Sequence, residues 1–446
     1  MSRTLIKKAT LVNEGSCKVA DVLIDNQRIE KIAATINADK HDHVIDATGL
    51  NLLPGMIDDQ VHFREPGLTH KGSISSESKA AVAGGITSYM EMPNVDPATT
   101  SIEALEKKFD IAALHSHANY SLYLGATEQN IEQIKRLDPS KHCGVKVFMG
   151  ASTGNLLVEN PAALEGIFKH APTLIVTHCE SGKIISHNHK ALLKTKSTLN
   201  IHDHPILRNH NACYESSSYA VKLAKKFQSQ LHVLHITTEK ELSLFEPGPI
   251  DKKSITAEAC VHHLWFNKQD YDELGNLIKC NPSIKNKSDQ DALIQALHTD
   301  HIDIIATDHA PHTWQEKNVA YERAPAGLPL VQHALLSLLD HVKHKRLRID
   351  QVVEKTAHNP AKRYGVCDRG FIREGYYADL VLVNTNKDTH STHENSLYHC
   401  GWTPFNNHTF SSRIEATWVN GQMVFDGENV LDFPKTGKRL SFNKHL

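Results

Sequence analysis

The chain contains eight short apolar runs rich in β-branched residues, and each has the length of a buried strand. Helix-like segments separate the runs. Alternation of buried strands with helices predicts an α/β fold with a parallel sheet, and eight repeats predict its closure into a (β/α)8 barrel. The predicted strands are Met56–His62, Ile86–Met92, Asn119–Leu124, Gly144–Met149, Thr173–His178, Leu231–His235, Ser254–Glu258 and Asp303–Asp308.

The segments between these runs differ in length and polarity. The predicted helices are Ser73–Ala83, Ile102–His115, Glu128–Leu137, Pro161–His170, Ser216–Lys226, Lys287–His298 and Leu328–His344. The link between the sixth and seventh runs holds only a short helix, Lys240–Phe245. This link gives the least support to the prediction of eight strand–helix repeats. A polar insertion at 182–214 follows the fifth run, and we interpret its histidines as solvated loop residues: His187, His189, His202, His204 and His210.

Both ends of the chain are built differently, from short alternating segments without helices between them. Neither end is long enough for a stable core of its own, so we expect the two to pair beside the barrel. The predicted domains are a small composite β-sandwich of residues 1–54 plus 366–446 and a barrel of residues 55–365.

Composition excludes several classes of partner. The 446 residues include 49 Lys+Arg and 51 Asp+Glu, a formal net charge of -2, which gives no global field for nucleic acid or an anionic membrane. No apolar run approaches the ~20 residues that span a bilayer. Eight cysteines without a CxxC pair are typical of reduced thiols. We therefore expect a cytoplasmic protein with no nucleic-acid or membrane partner.

Polar side chains cluster where the predicted strands end. Active sites of such barrels lie at the C-terminal ends of the strands. Histidine, lysine and aspartate at these ends favour a divalent metal, zinc above all. A lysine inside an apolar strand needs a partner or a modification, because an unpaired buried charge is costly. The residues at these ends are Gln60, His62, Arg64, Lys146, His178, His235 and Asp308.

Two motifs are specific enough to indicate a family. Residues 57–67 read Ile-Asp-Asp-Gln-Val-His-Phe-Arg-Glu-Pro-Gly, and residues 306–312 read Ala-Thr-Asp-His-Ala-Pro-His. Over nearly its whole length the chain resembles the dihydroorotases of the amidohydrolase superfamily. The resemblance implies a zinc-dependent cyclic amidohydrolase. Its reaction would be the reversible hydrolysis of (S)-dihydroorotate to N-carbamoyl-L-aspartate in pyrimidine biosynthesis.

The resemblance also implies roles for individual residues. One or two zinc ions would be held by His62, Lys146, His178, His235 and Asp308, with Lys146 carbamylated so that it bridges the metals. Asp308 would shuttle the proton for a metal-activated hydroxide. The substrate would be bound by His62, Arg64, Asn94, Asn281, His312, Ala326 and Gly327. A homodimer is usual in related enzymes.

One residue departs from the family pattern. Gln60 stands where the superfamily has the first of two metal-binding histidines. A glutamine offers only a weaker carbonyl oxygen, so we expect a metal near this strand to be weakly held. Two alternatives stay open: a hydantoinase or allantoinase, and a catalytically inactive subunit. The sequence does not determine the metal, the number of ions, the lid or the role of the insertion.

Overall fold

The computed structural model describes residues 3–150, 156–431 and 436–443. All eight predicted barrel strands are present, and the third is interrupted at Tyr123. The barrel strands are β6 (Met56–Val61), β7 (Ile86–Glu91), β8 (Asn119–Leu122), β9 (Leu124–Gly125), β10 (Val145–Gly150), β11 (Ile175–Glu180), β12 (Leu231–Val233), β13 (Ile255–Cys260) and β14 (Ile304–Ala306).

These strands are parallel and follow one another in chain order around the barrel. Strands β9 to β14 form one run of neighbours and β6 to β8 another. The first and last strands meet through a parallel bridge between Val61 and His309, where the His62 N–H donates to the His309 carbonyl at 2.6 Å. The predicted (β/α)8 barrel is therefore confirmed.

The helices lie between the strands. They are α1 (Ile74–Ala83), α2 (Ile102–His115), α3 (Ile131–Ile134), α4 (Pro161–His170), α5 (Gly182–Leu192), α6 (His204–Leu207), α7 (His210–Phe227), α8 (Glu239–Leu242), α9 (Val261–Trp265), α10 (Tyr271–Leu274), α11 (Lys287–His298), α12 (Trp314–Lys317), α13 (Ala334–Lys343), α14 (Ile349–Val353) and α15 (Asn359–Tyr364). The short link after β12 contains only α8, as the sequence predicts. None of the helices in the described part of the chain is long and apolar enough to cross a bilayer.

The insertion corrects one prediction. It is mainly helical, since α5, α6 and the start of α7 fall within it. The loop interpretation is also wrong for His204, which is 2% exposed. Its Nδ1 lies 2.8 Å from the Tyr321 hydroxyl, and its Nε2 lies 2.8 Å from the Cys280 carbonyl oxygen. His187, His189 and His202 are exposed as expected.

Strands from both chain ends form one mixed eight-stranded sheet beside the barrel. The amino-terminal strands are β1 (Thr4–Asn13), β2 (Ser16–Asp25), β3 (Arg28–Ala33), β4 (His43–Asp46) and β5 (Asn51–Pro54), and the carboxyl-terminal ones are β15 (Leu380–Asn384), β18 (Arg413–Val419) and β19 (Gln422–Phe425). The antiparallel pair β5–β15 joins the two ends of the chain. The flanking β domain built from both ends is confirmed.

Outside this sheet, β16 (Thr389–His390) and β17 (Thr409–Phe410) form a small hairpin. Residues 436–443 return to the barrel, where the Tyr120 N–H donates to the Lys438 carbonyl and the Leu440 N–H to the Tyr120 carbonyl, each at 2.9 Å. The domain boundaries at 54/55 and 365/366 remain a prediction.

The barrel interior has an apolar part and a polar end. Its apolar part packs side chains from successive strands with a tyrosine of α15: Ile57, Met90, Val176, Leu234, Ile304 and Tyr364. Polar side chains gather beyond it, at the C-terminal ends of the strands, where the loops leave room for a pocket.

Candidate active site

A pocket opens at the C-terminal ends of the barrel strands. The space inside it is about 490 Å³ when the solvent at its mouth is included. Nearly every residue predicted for the site lines it, and Phe148 and Ala310 complete the wall. The predicted residues on the wall are Gln60, His62, Arg64, Asn94, Lys146, His178, His235, Asn281, Asp308, Ala326 and Gly327. His312 lies behind Arg64.

On one side of the pocket, β11 and the end of β12 bring two histidines together. His178 Nδ1 and His235 Nε2 are 3.0 Å apart, and both residues are buried. His178 Nε2 lies 3.2 Å from Glu180 Oε2, and the same carboxylate oxygen pairs with Arg208. A carboxylate at this place favours the proton on Nε2, which leaves the Nδ1 lone pair directed into the pocket.

The electrostatics of this side suit neutral imidazoles beside a fixed anion. Burial lowers the pKa of His235 well below its ordinary value, and the neighbouring His178 and Lys146 lower it further. Burial alone would raise the pKa of Glu180, but Arg208 and His178 hold it at about 2. Glu180 is therefore a carboxylate at neutral pH and can orient His178.

Lys146 lies between the two sides of the pocket on β10. It is 1% exposed, and its side chain has neither a hydrogen bond nor an ion pair with the described residues. Its Nζ lies 4.7 Å from the centre of the Phe148 ring. Burial lowers the pKa of Lys146 to about 8, against the opposing effects of Asp308 and Glu258. A buried amine with a lowered pKa is more readily deprotonated and modified. If it stays charged without a partner, its burial is costly.

The opposite side of the pocket is formed by β6 and the loop after β14. The Gln60 Nε2 donates to Asp308 Oδ1 at 3.1 Å, and His62 Nε2 lies 3.2 Å from the same oxygen. His62 Nδ1 lies 2.7 Å from Asn94 Oδ1. The Cys260 thiol lies 3.6 Å from Gln60 Oε1 and 3.3 Å from Glu258 Oε1, and its single proton can be donated to only one of them.

Three of these residues adopt left-handed backbone conformations. Arg64 has φ 72°, His235 has φ 38° and Asp308 has φ 50°. Such conformations cost non-glycine residues of order 1–3 kcal/mol each and cluster at functional sites. The conformation turns each side chain into the pocket as its strand ends.

Arg64 is the buried cation of the β6 side. It is 6% exposed, and no carboxylate of a described residue lies within ion-pair distance of its guanidinium. Its Nε donates to the Pro311 carbonyl at 3.1 Å, and a terminal nitrogen lies 3.1 Å from His312 Nε2. Burial lowers the pKa of Arg64 to about 10, so the side chain stays charged at neutral pH. An anionic ligand would supply its missing partner.

His312 is a neutral imidazole between cations and a carbonyl group. Burial and the nearby Arg64 lower its pKa to about 3, so the ring is neutral. Lys71 Nζ lies 3.2 Å from Nδ1, and Nε2 lies 3.1 Å from both the Ala326 carbonyl oxygen and an Arg64 nitrogen. Gly327 is required next to this contact, because a Cβ there would lie 2.3 Å from the Ala310 carbonyl oxygen. Asn281 Oδ1 is buried on the pocket wall without a hydrogen-bond partner.

Sequence reasoning missed four supporting residues: Glu180, Arg208, Lys71 and Glu258. Glu180 comes two positions after His178 on the same strand, so strand periodicity was the available signal. Arg208 lies in the insertion, where no local pattern marks it. Cys179 and Cys260 lie beside site residues, and burial raises the pKa of both thiols, that of Cys179 to about 11, which favours packing over a thiolate role.

Comparisons with known proteins show the family of the chain. The model of the amidohydrolase family matches residues 51–424, and the chain belongs to that family. A dihydroorotase from Methanosphaera stadtmanae is 30% identical, covering 97% of this chain and 99% of the relative. An allantoinase from Salmonella paratyphi B is 27% identical, covering 97% of each. These relatives support a cyclic amidohydrolase as the activity class.

The fold is shared with solved hydantoinases. The L-hydantoinase from Arthrobacter aurescens superposes with a TM-score of 0.93 at 24% identity, covering 99% of this chain and 100% of that one. At this identity the likeness supports the barrel and its β domain, and leaves the choice of substrate to the site itself.

Proposed function

We propose that the chain is a dihydroorotase, which reversibly hydrolyses the cyclic amide of (S)-dihydroorotate to N-carbamoyl-L-aspartate. The observation that carries this choice is Arg64, a buried guanidinium on the pocket wall without an acidic partner among the described residues. Dihydroorotate carries a carboxylate on its ring, and a guanidinium binds a carboxylate with two parallel hydrogen bonds. Hydantoin and allantoin lack that ring carboxylate.

The donor set supports a zinc centre of one or two ions. His178 and His235 present imidazole nitrogens at a spacing that suits ligands of one ion, and carbamylation of Lys146 would turn an unpartnered buried amine into a ligand. His62 and Asp308 offer a second pair on the β6 side. Gln60 does not fit as a ligand, because its amide nitrogen faces Asp308. A bound ion would polarise the ring carbonyl and acidify a water molecule.

The protein's own groups then bind and transfer protons. Asp308 accepts a proton from the attacking water and returns it to the departing amide nitrogen. Arg64 binds the ring carboxylate, and the neutral His312 ring lies beside the Arg64 guanidinium. Asn94 and Asn281 contribute amide groups, and the backbone at Ala326 and Gly327 contacts the ring.

The proposal also covers the location and the assembly of the protein. As an enzyme of pyrimidine biosynthesis the protein would act in the cytoplasm on a small-molecule substrate, and a homodimer is the assembly we propose. Gln60 is the feature that favours the inactive-subunit alternative. Against it stand the four other candidate ligands that line one pocket with Asp308: His62, Lys146, His178 and His235.

A turnover assay on the purified protein separates the three candidates. Dihydroorotate, hydantoin and allantoin are offered in turn to zinc-loaded protein. We expect hydrolysis of dihydroorotate, and synthesis of it from N-carbamoyl-L-aspartate in the reverse direction. Preference for hydantoin or allantoin would replace the proposal with the hydantoinase class. No turnover of any substrate by fully metal-loaded protein would favour the inactive subunit.

A further inference from the structure

Three side chains of types that commonly bind metals lie together in the barrel interior, outside the candidate active site. Asp59 on β6, His232 on β12 and Glu258 on β13 are each 0% exposed, and none lines the pocket. His232 Nε2 lies 3.3 Å from Asp59 Oδ2 and 3.6 Å from Glu258 Oε2. One ligand atom from each residue falls within 4.8 Å of the other two. We call these three residues the interior triad.

Several atoms of the triad, which we call its outer atoms, are hydrogen-bonded, among them Asp59 Oδ2, the carboxylate oxygen that also lies 3.3 Å from His232 Nε2. His232 Nδ1 lies 2.8 Å from Thr256 Oγ1, whose hydroxyl donates to the Leu231 carbonyl at 3.4 Å. The threonine oxygen therefore accepts from Nδ1–H, which leaves a lone pair on Nε2 when the ring is neutral. The Tyr364 hydroxyl donates to Asp59 Oδ2 at 2.8 Å. The backbone N–H of His235 donates to Glu258 Oε1 at 3.0 Å.

Three further atoms, which we call the inner atoms, have no such partners within the described parts of the chain. Asp59 Oδ1, His232 Nε2 and Glu258 Oε2 are buried without a hydrogen-bond partner. Buried polar atoms are almost always satisfied, and unpaired lone pairs in a low dielectric are costly. Either a metal ion or a proton must therefore lie among them. The proton could be on His232 or on the Glu258 carboxyl group, whose pKa burial and Asp59 raise to about 7.

The spacing favours the metal ion. A charge-assisted hydrogen bond between nitrogen and a carboxylate has a length of about 2.7–2.9 Å, shorter than either contact of His232. Ligands of a tetrahedral ion with bonds of about 2.0–2.1 Å lie roughly 3.3 Å apart. Two carboxylates would also neutralise a divalent charge inside the barrel, and hydrogen bonds to the outer atoms are the usual support of a metal site.

We propose that Asp59, His232 and Glu258 hold a divalent metal ion of the zinc class, at a structural site inside the barrel and separate from the catalytic centre. One imidazole and two carboxylates suit zinc and neighbouring first-row ions. The ion joins β6, β12 and β13. Through Glu258 it also supports the backbone N–H of His235, which is held at φ 38°. A buried ion of this kind is taken up as the chain folds.

Anomalous diffraction locates the ion directly. Crystals of zinc-saturated wild-type protein are measured on both sides of the zinc absorption edge. We expect an anomalous peak bounded by the three inner atoms, in addition to density at the catalytic centre. Absence of a peak within the triad would overturn the proposal and assign the charge to a proton, since the two carboxylates raise the pKa of His232 to about 9 despite its burial.

A count of bound metal gives an independent test in solution. Asp59→Asn keeps the shape and the Tyr364 contact but removes one charge of the triad. We expect it to lose one zinc ion per chain relative to wild type after removal of excess metal. Asp303→Asn is the matched control, since Asp303 is also buried but pairs with Lys253 at 2.6 Å. An unchanged count in Asp59→Asn would contradict the proposal.

The outcome is independent of the proposed substrate. A triad peak in a protein that fails to turn over dihydroorotate would support the interior site and reject only the dihydroorotase assignment. If Asp59→Asn does not fold, the wild-type anomalous map still decides the question.

Discussion

The two sides of the pocket differ in the groups that hold their side chains in place. On the β11–β12 side, His178 and His235 face each other, and Glu180 and Arg208 support them from behind. On the β6–β14 side, Asp308 is shared between His62 and a neutral amide, and the substrate-binding candidates are gathered there. In the proposed function, the β11–β12 side would mainly hold an ion, whereas the β6–β14 side would combine proton transfer with substrate recognition. Changes on the two sides should therefore have separable effects.

Lys146→Ala should have the largest effect, because Lys146 lies between both sides. Loss of an outer hydrogen-bond partner costs about 10–100-fold in metal affinity, and loss of a ligand should exceed that. We expect metal content and turnover to fall together, with partial rescue of both by acetate. Metal analysis of the purified variant is the measurement. Lys355→Ala is the control, because Lys355 is a buried lysine that pairs with Asp300 away from the pocket. Full retention of metal by Lys146→Ala would show that Lys146 does not bridge the metals.

Arg64→Met should affect the recognition side alone. Truncating one partner of a buried charge pair costs about 2–5 kcal/mol, roughly 30- to 5,000-fold in kcat/KM for dihydroorotate. Metal content should not change. Steady-state kinetics together with metal analysis check both statements. Unaltered kinetics with dihydroorotate would support a hydantoinase-like substrate.

Glu180→Gln should affect the opposite side alone. The neutral amide no longer fixes the His178 tautomer, so we expect zinc affinity to fall about 10–100-fold. The KM for dihydroorotate in zinc-saturated protein should stay near the wild-type value. Competition with a chromophoric chelator measures the affinity, and Glu165→Gln, an exposed glutamate paired with Lys226, is the control. A large change in KM without a change in affinity would show that the two sides are not separable.

Gln60→His should have the smallest effect and should make the two sides more alike. A histidine adds a nitrogen ligand and releases Asp308 from its hydrogen bond. We expect the affinity for a second ion to rise, while the first stays tightly held. Gln60→Leu releases Asp308 without adding a ligand and so separates the two causes. Two ions of equal affinity in wild-type protein, seen by chelator titration, would mean that another residue compensates for Gln60.

The sequence was sufficient to predict features that depend on local patterns of apolar and polar residues. The apolar runs predict the strands, and because sites in such barrels lie at strand ends, they also predict that Lys146, His178 and His235 converge. Burial of His204 could not be predicted, because its partners Cys280 and Tyr321 are 76 and 117 positions away. The orientation of the Gln60 amide follows from its hydrogen bond to Asp308, which is 248 positions away. Both the burial of His204 and the orientation of the Gln60 amide therefore depend on contacts between distant parts of the chain.

The joining of both chain ends in one sheet affects the order in which the protein can be assembled on the ribosome. Asn13 Nδ2 donates to the Ile372 carbonyl, 359 positions later, and β5 pairs with β15. The first strands to be synthesised therefore expose an unpaired edge until most of the chain has been made. An unpaired edge invites pairing with other nascent chains. A fragment that stops before β15 would carry this hazard permanently, so we expect such truncations to aggregate even though they contain every barrel strand.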